Sequence, residues 1–226
     1  MTLERHPHFV SLEGGEGAGK TTVLNALREA LQQAGHEVIS TREPGGTVLA
    51  EQIRGLLLNV PVDGVQHEQP GAETELLLMF AARAQHVRET INPALARGAW
   101  VVCDRFTDSS YAYQGGGRGI EPAFIAELEH RVVGIQPALT LLLDLGVAQG
   151  RERTRGRDLA FGGNGPDRIE RERDDFFEKV RGAFLARARA EPERVRVIDA
   201  TQSAAEVAAD AVAILRMFIA RTNQPR

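Results

Sequence analysis

The chain has 226 residues, 42% hydrophobic and 26% charged, which excludes a disordered, collagen-like or coiled-coil polymer. Its 27 Lys plus Arg against 31 Asp plus Glu give a formal charge of −4, an argument against broad binding to nucleic-acid phosphates. The one cysteine, Cys103, has no internal disulfide partner and points to a reducing compartment. No apolar run approaches the ~20 residues of a membrane-spanning helix, and the first eight residues lack the apolar stretch of a secretory leader. The expectation is a cytoplasmic protein with neither a nucleic-acid nor a membrane partner.

In chain order, Phe9-Val10-Ser11-Leu12 reads as a short buried strand running into a glycine-rich turn. Leu24, Leu27 and Leu31 then recur at helical spacing and Gly35 supplies a stop, predicting a helix over 20–34. Residues 38–41 form a second strand, closed by Glu43-Pro44-Gly45-Gly46 as a turn, and a helix follows through Leu49, Ile53, Leu56 and Leu57. Residues 59–71 read as a surface loop. Leu76, Leu77, Phe80, Ala84, Val87, Ile91 and Leu95 fit one long helix over 72–97. Continuous apolar runs at 100–103 and 139–144 are strands covered on both faces, with a helix through Phe124, Ile125, Leu128 and Val132 between them. A last strand at 195–198 precedes a helix whose apolar face holds Val207, Ala211, Ile214, Leu215 and Phe218. Strands alternating with helices predict parallel βαβ units, and nothing in the composition marks a boundary within a single domain.

Gly14-Gly15-Glu16-Gly17-Ala18-Gly19-Lys20-Thr21 carries the pattern G-x-x-x-x-G-K-T between a strand and a helix. Glycines there let successive backbone N–H groups turn around a phosphate, and the start of the helix adds its positive dipole end. Lys20 reaches the terminal phosphates, and the Thr21 hydroxyl suits Mg²⁺. Residues 14–22, through Thr22, therefore form a nucleoside-triphosphate site. Asp104 and Arg105 stand at the carboxyl edge of a strand, where open α/β sheets bind ligands. After them come Ser110, Tyr111, Tyr113, Gln114 and a glycine run at 115–117 that reads as flexible, a mixture suited to a polar organic ligand. Arg151, Arg153, Arg155 and Arg157 alternate before a glycine-rich stretch. They read either as a solvated helix face or as a mobile lid closing guanidiniums over a transferring phosphoryl group. The six histidines are scattered, suggest no metal site and read as surface or cap residues.

Together, residues 13–22, Thr41-Arg42-Glu43-Pro44-Gly45-Gly46-Thr47, Asp104-Arg105, the run from Tyr113 to Ile120 and Asp167-Arg168-Ile169-Glu170 closely resemble the bacterial type of thymidylate (dTMP) kinase. The resemblance implies a P-loop NTPase three-layer α/β sandwich, with a five-stranded parallel sheet and a short arginine-rich lid at about 146–170. It implies Mg²⁺-dependent phosphoryl transfer from ATP to dTMP in a homodimer. By position, Phe80 would stack on thymine and Arg83 would bond its carbonyl edge, with Ser110 and Gln114 also facing the base. Tyr113 would lie beneath the deoxyribose, Glu16 near its 3′-hydroxyl, and Arg42 and Arg105 on the dTMP phosphate. The P-loop holds no arginine, so Arg153 and Arg155 are the foremost candidates for a lid arginine acting in transfer, alongside Lys20 and Arg105. Asp104 and Glu170 would act through Mg²⁺, with Thr21. The glycine-rich lid segment is longer than the family pattern, which leaves the lid arginine register open. The alternatives are another P-loop nucleoside or nucleotide kinase, a nucleotide switch (no Asn-Lys-x-Asp motif is present) and a nucleic-acid ATPase, which the acidic balance disfavours.

Overall fold

A computed structural model describes residues 3–58, 68–161 and 167–222, the side chains of 157–161 excepted. The elements are β1 (Glu4–Gly14), α1 (Lys20–Gln33), β2 (Val38–Arg42), α2 (Val48–Leu58), α3 (Ala72–His86), α4 (Asn92–Ala96) and β3 (Trp100–Asp104). They continue with α5 (Thr107–Ser110), α6 (Pro122–Leu128), β4 (Ile135–Asp144), α7 (Val147–Phe161), α8 (Asp174–Ala190), β5 (Val195–Asp199) and α9 (Ala204–Thr222). The long helix expected over 72–97 is α3 and α4 joined by a π-helical turn at Val87–Ile91. Pro93 explains the wider turn, because it donates no N–H and its ring crowds the carbonyl four residues back.

All five strands run parallel in the order β2-β3-β1-β4-β5. β1 extends well beyond the apolar run at 9–12, because its half-exposed beginning pairs with β4 from Glu4 opposite Ile135. Alternation along β1 sorts the layers. Val10 and Leu12 face α1 and α9 through Val23, Leu27, Leu31, Val207, Ala211 and Leu215. Phe9 faces the other side with Leu76, Phe80, Ile91 and Phe106. With helices on both faces, the continuous apolar strands are accounted for. Among the described residues no helix is long and apolar enough to cross a membrane.

One expectation changes, and one helix went unread. The glycine run at 115–117 lies in a π-helical segment (Tyr111–Gly117) that continues α5. There it permits close packing rather than flexibility: a Cβ on Gly116 would meet Ala183 Cβ at 2.6 Å. α8 is absent from the elements read in the sequence, although Phe176, Phe177, Val180, Phe184 and Ala188 make its buried face. Of the expected loop at 59–71, residues 59–67 lie outside the described residues, as do 162–166 of the lid segment.

A buried ionic cluster pins α8 to the sheet. Arg194 bonds both oxygens of Asp108 at 2.7 and 2.9 Å, and also Thr140 at 2.8 Å. Thr140 shares a 2.8 Å bond with Ser11 of β1, and Arg187 of α8 reaches Asp108 at 2.9 Å. Burial pushes the Asp108 carboxyl up, but the hydrogen bonds and charge of Arg194, then Arg187, outweigh it and hold the group down at about 2.

Candidate active site

Beyond Gly14 the chain turns through a glycine loop that ends at Gly19, left-handed with φ 91°, and Lys20 opens α1. The Lys20 ammonium folds back on this loop, donating to the Gly15 carbonyl at 2.8 Å and the Gly14 carbonyl at 3.3 Å. Burial, then repulsion from Arg105, lowers its pKa to about 8; a phosphate placed beside it would favour the charged form again. The loop lies against the start of α7 with no side chain between them. A Cβ on Gly17 would stand 2.5 Å from the Gly150 carbonyl oxygen, and one on Gly150 would stand 2.5 Å from that of Glu16.

At the adjacent end of β3, Arg105 is the one described non-glycine residue with positive φ, at 69°, a conformation costing roughly 1–2 kcal/mol. Three contacts impose it. The Arg105 N–H donates to Leu12 O at 2.8 Å, its carbonyl accepts the Cys103 thiol at 3.0 Å, and its guanidinium donates to Ser109 at 3.2 Å. The guanidinium also lies 4.9 Å from the Tyr113 ring centroid. Ser109 donates to Glu13 at 2.6 Å, and the other Glu13 oxygen accepts the Phe106 N–H at 2.8 Å. Burial, then repulsion from Asp108, raises the Glu13 carboxyl to about 8. Glu16 rises to about 7 through burial and the nearby Glu170.

At the far end, the buried Arg83 donates to Glu43 at 2.6 Å, to Ser110 at 3.0 Å and to the Phe106 carbonyl at 3.1 Å. Its guanidinium covers the Phe80 ring at 4.7 Å. Glu43, which precedes a cis peptide to Pro44, also meets His86 at 3.0 Å, and His86 meets Thr41 at 2.7 Å. His86 is thus fully buried in a polar chain, unlike the surface or cap role read for it in the sequence.

These parts enclose a cavity of about 650 Å³ at the carboxyl edge of β1 and β3. Of the sequence-read residues, Glu16 through Thr22, Arg83, Asp104, Arg105, Ser110, Tyr113, Gln114, Arg153 and Glu170 line it. Gly14 and Gly15 face a smaller neighbouring pocket instead. Phe80 is 2% exposed beneath Arg83 and does not reach the cavity wall. Arg42 points outward into an ion pair with Glu51 at 3.0 Å. Arg54 lines the cavity in its place, anchored on the Pro44 carbonyl at 2.9 Å. Burial and repulsion from Arg42 crowd its charge, which a bound anion relieves. The reading of the sequence missed Arg54, although it lies one helical turn beyond Glu51, the residue that captures Arg42.

The alternating arginines of α7, expected as a lid, diverge because alternate residues on a helix point to nearly opposite sides. Arg151 engages Asp174 and the Glu172 carbonyl and covers the Phe177 ring at 5.1 Å. Arg153 bonds the carbonyls of Ala200, Thr201 and Gln202 after β5 at 2.8, 3.3 and 3.5 Å. Arg155 is exposed and is not part of the cavity wall. The Arg157 side chain lies outside the described residues.

A hard divalent cation fits the donor set near Asp104. Asp104 Oδ1 is buried without a hydrogen-bond partner, and Thr21 and Glu170 share its cavity. One Glu170 oxygen accepts the Asp167 N–H at 2.8 Å. Among the described residues no cluster of three or more His, Cys, Asp or Glu is placed to hold a metal; a Mg²⁺ ion here would draw its remaining ligands from phosphates and water.

Comparison with known proteins agrees with this geometry. The family model described as thymidylate kinase matches residues 12–211. The thymidylate kinase of Pseudomonas fluorescens (strain SBW25) is 53% identical over 216 residues, 95% of this chain and 98% of that one. That of Alkalilimnicola ehrlichii is 54% identical over 196 residues, covering 86% and 85%. The crystal structure of thymidylate kinase from Ehrlichia chaffeensis superposes with a TM-score of 0.70 at 32% identity, over 92% of this chain and 98% of that one. A triphosphate loop and a buried arginine–amide pocket sharing one crevice, in a chain alike over nearly its whole length, lead to one conclusion: it belongs to the thymidylate kinase family.

Proposed function

We propose that this chain transfers the γ-phosphoryl group of ATP, with Mg²⁺, to the 5′-phosphate of dTMP, giving dTDP and ADP, as a single domain in the cytoplasm. The carrying observation is that one cavity joins the P-loop to the Arg83–Gln114 pocket, with Arg54 and Arg105 between them. The P-loop N–H groups and Lys20 take the donor phosphates. Arg54 and Arg105 hold the acceptor phosphate, replacing the Arg42 assignment. Tyr113, stacked with Arg105, bounds the sugar, and Glu16 approaches its 3′-hydroxyl. Arg83 and Gln114 bond the base while Phe80 supports Arg83 from beneath.

An acceptor phosphate oxygen attacks the γ-phosphorus in line. With its second pKa near ~6, a phosphate monoester is largely ionised at neutral pH and needs no strong general base. The work is positioning and charge neutralisation by Lys20, Arg105 and a lid arginine. Arg153 is favoured over Arg155 because it already lines the cavity. Asp104, Thr21 and Glu170 would hold Mg²⁺, directly or through water, and the ion would supply further charge neutralisation when bound. The homodimer rests on the family and on apolar side chains left in solvent: Leu77 of α3 is 50% exposed, Phe124 39% and Val132 40%. Sedimentation at micromolar concentration checks it, and a monomer there refutes it.

The test of function is an acceptor panel with ATP and Mg²⁺. Turnover of dTMP is expected far above that of thymidine, dCMP or UMP, with little ATP hydrolysis when no acceptor is present. Preferred turnover of thymidine, or fast hydrolysis alone, refutes the reading.

A further inference from the structure

Gln114 has two faces of opposite character, an NH₂ that only donates and a carbonyl oxygen that only accepts. Which face meets the base determines which base is bound, and the structure settles that orientation by chemistry. Gln114 Nε2 lies 2.9 Å from Oε1 of Glu75, a first-turn residue of α3 that is 1% exposed. Glu75 also accepts from Arg118 Nε and Nη2 at 3.2 Å each and from Arg168 Nη2 at 2.5 Å. Burial would raise the Glu75 pKa, yet the bonds from Arg118, Gln114 and Arg168 bring it below the ordinary value, so the group is a carboxylate with acceptors alone. The Gln114 amide must turn its NH₂ toward it. Its Oε1 carries no hydrogen bond among the described residues, and the residue lines the cavity.

Arg83 supplies the complement. Three of its five N–H donors are committed to Glu43, Ser110 and the Phe106 carbonyl. Ser110 and Gln114 lie one helical turn apart on the same cavity wall. Spare donors beside a fixed acceptor match an imide edge, a carbonyl next to an N–H, as thymine and uracil present. Cytosine offers the reverse, an amino group next to a bare ring nitrogen.

We propose that Glu75 is the positioning residue that sets base specificity, by locking the Gln114 amide so that its oxygen faces the base and cytosine is refused. The proposal rests on the dTMP reading above. Arg168 extends the lock: it donates to Glu75 and to the Leu57 carbonyl at 2.7 Å, tying the segment after the lid to the reading of the base.

The experiment measures kcat/KM for dTMP, dUMP and dCMP in the wild type, Glu75→Gln and Arg118→Gln. A glutamine at 75 offers both a donor and an acceptor, so the Gln114 amide is free to turn over. The dTMP-to-dCMP ratio is expected to fall about 10-fold or more in Glu75→Gln, while the dTMP-to-dUMP ratio, which shares the edge, stays constant. Arg118→Gln loosens the cluster but leaves the carboxylate on Gln114, so its dTMP-to-dCMP ratio should hold whatever happens to kcat. If Glu75→Gln does not fold, Glu75→Asp keeps the charge for the arginines while drawing it back from the amide, and the same fall is expected. Equal losses on all three acceptors, or an equal fall of the dTMP-to-dCMP ratio in Arg118→Gln, overturn the proposal. A wild type that does not phosphorylate dTMP refutes the function itself, a separate result.

Discussion

Lys20→Ala is expected to lower kcat by about 10²–10³-fold or more while the unliganded protein melts no earlier than the wild type. Among the described residues Lys20 bonds only the Gly14 and Gly15 carbonyls, so no bond to another element is lost. Its folded pKa of about 8 lies below the ordinary lysine value of 10.5, which means that folding disfavours its charged form. That cost is fully present below pH 8 and disappears once the ammonium is removed. Single-turnover transfer from ATP to dTMP, with thermal melting beside it, reads both halves. Near-normal transfer, or a large loss of melting temperature, defeats the assignment.

The second large effect is on stability. Arg194→Ala is expected to cost about 3 kcal/mol, as for a buried ion pair broken on one side; Arg187 still reaches Asp108 and keeps the figure from going higher. Removing both partners with apolar residues of similar size, Arg194→Met with Asp108→Leu, should be far milder. The Asp108 carboxyl, held at about 2 against an ordinary value of 3.8, contributes stability that is complete above the higher value and lost as pH falls toward the lower. Urea denaturation between pH 6 and pH 2 should therefore show a steeper acid loss in the wild type than in Arg194→Ala. Matching profiles contradict this account.

The sheet was legible because both of its faces are covered, so β3 and β4 appear as continuous apolar runs and the other three strands as short apolar-rich stretches, none of which needs partner information. α8 was harder to see. Its apolar face is interrupted by Lys179, Arg181 and Arg187, and two of these are spent on Asp144 and Asp108, contacts invisible along the chain. The P-loop, Asp104-Arg105 and Arg83 were readable because their pattern is local or carried by the family resemblance. Arg42, placed on the acceptor phosphate by the resemblance alone, differs for a physical reason: Glu51 of α2 captures its guanidinium and leaves Arg54 at the cavity. The fully buried His86 and Glu75 follow the same rule, since a polar residue inside is recognisable only once its partners are known.

Gly17 and Gly150 bring the backbones of the P-loop and the first turn of α7 into direct contact. Any larger residue at either position would wedge the two apart and carry Arg151 and Arg153 away from the phosphate-binding turn. Two absent side chains thereby set where that row of guanidiniums begins.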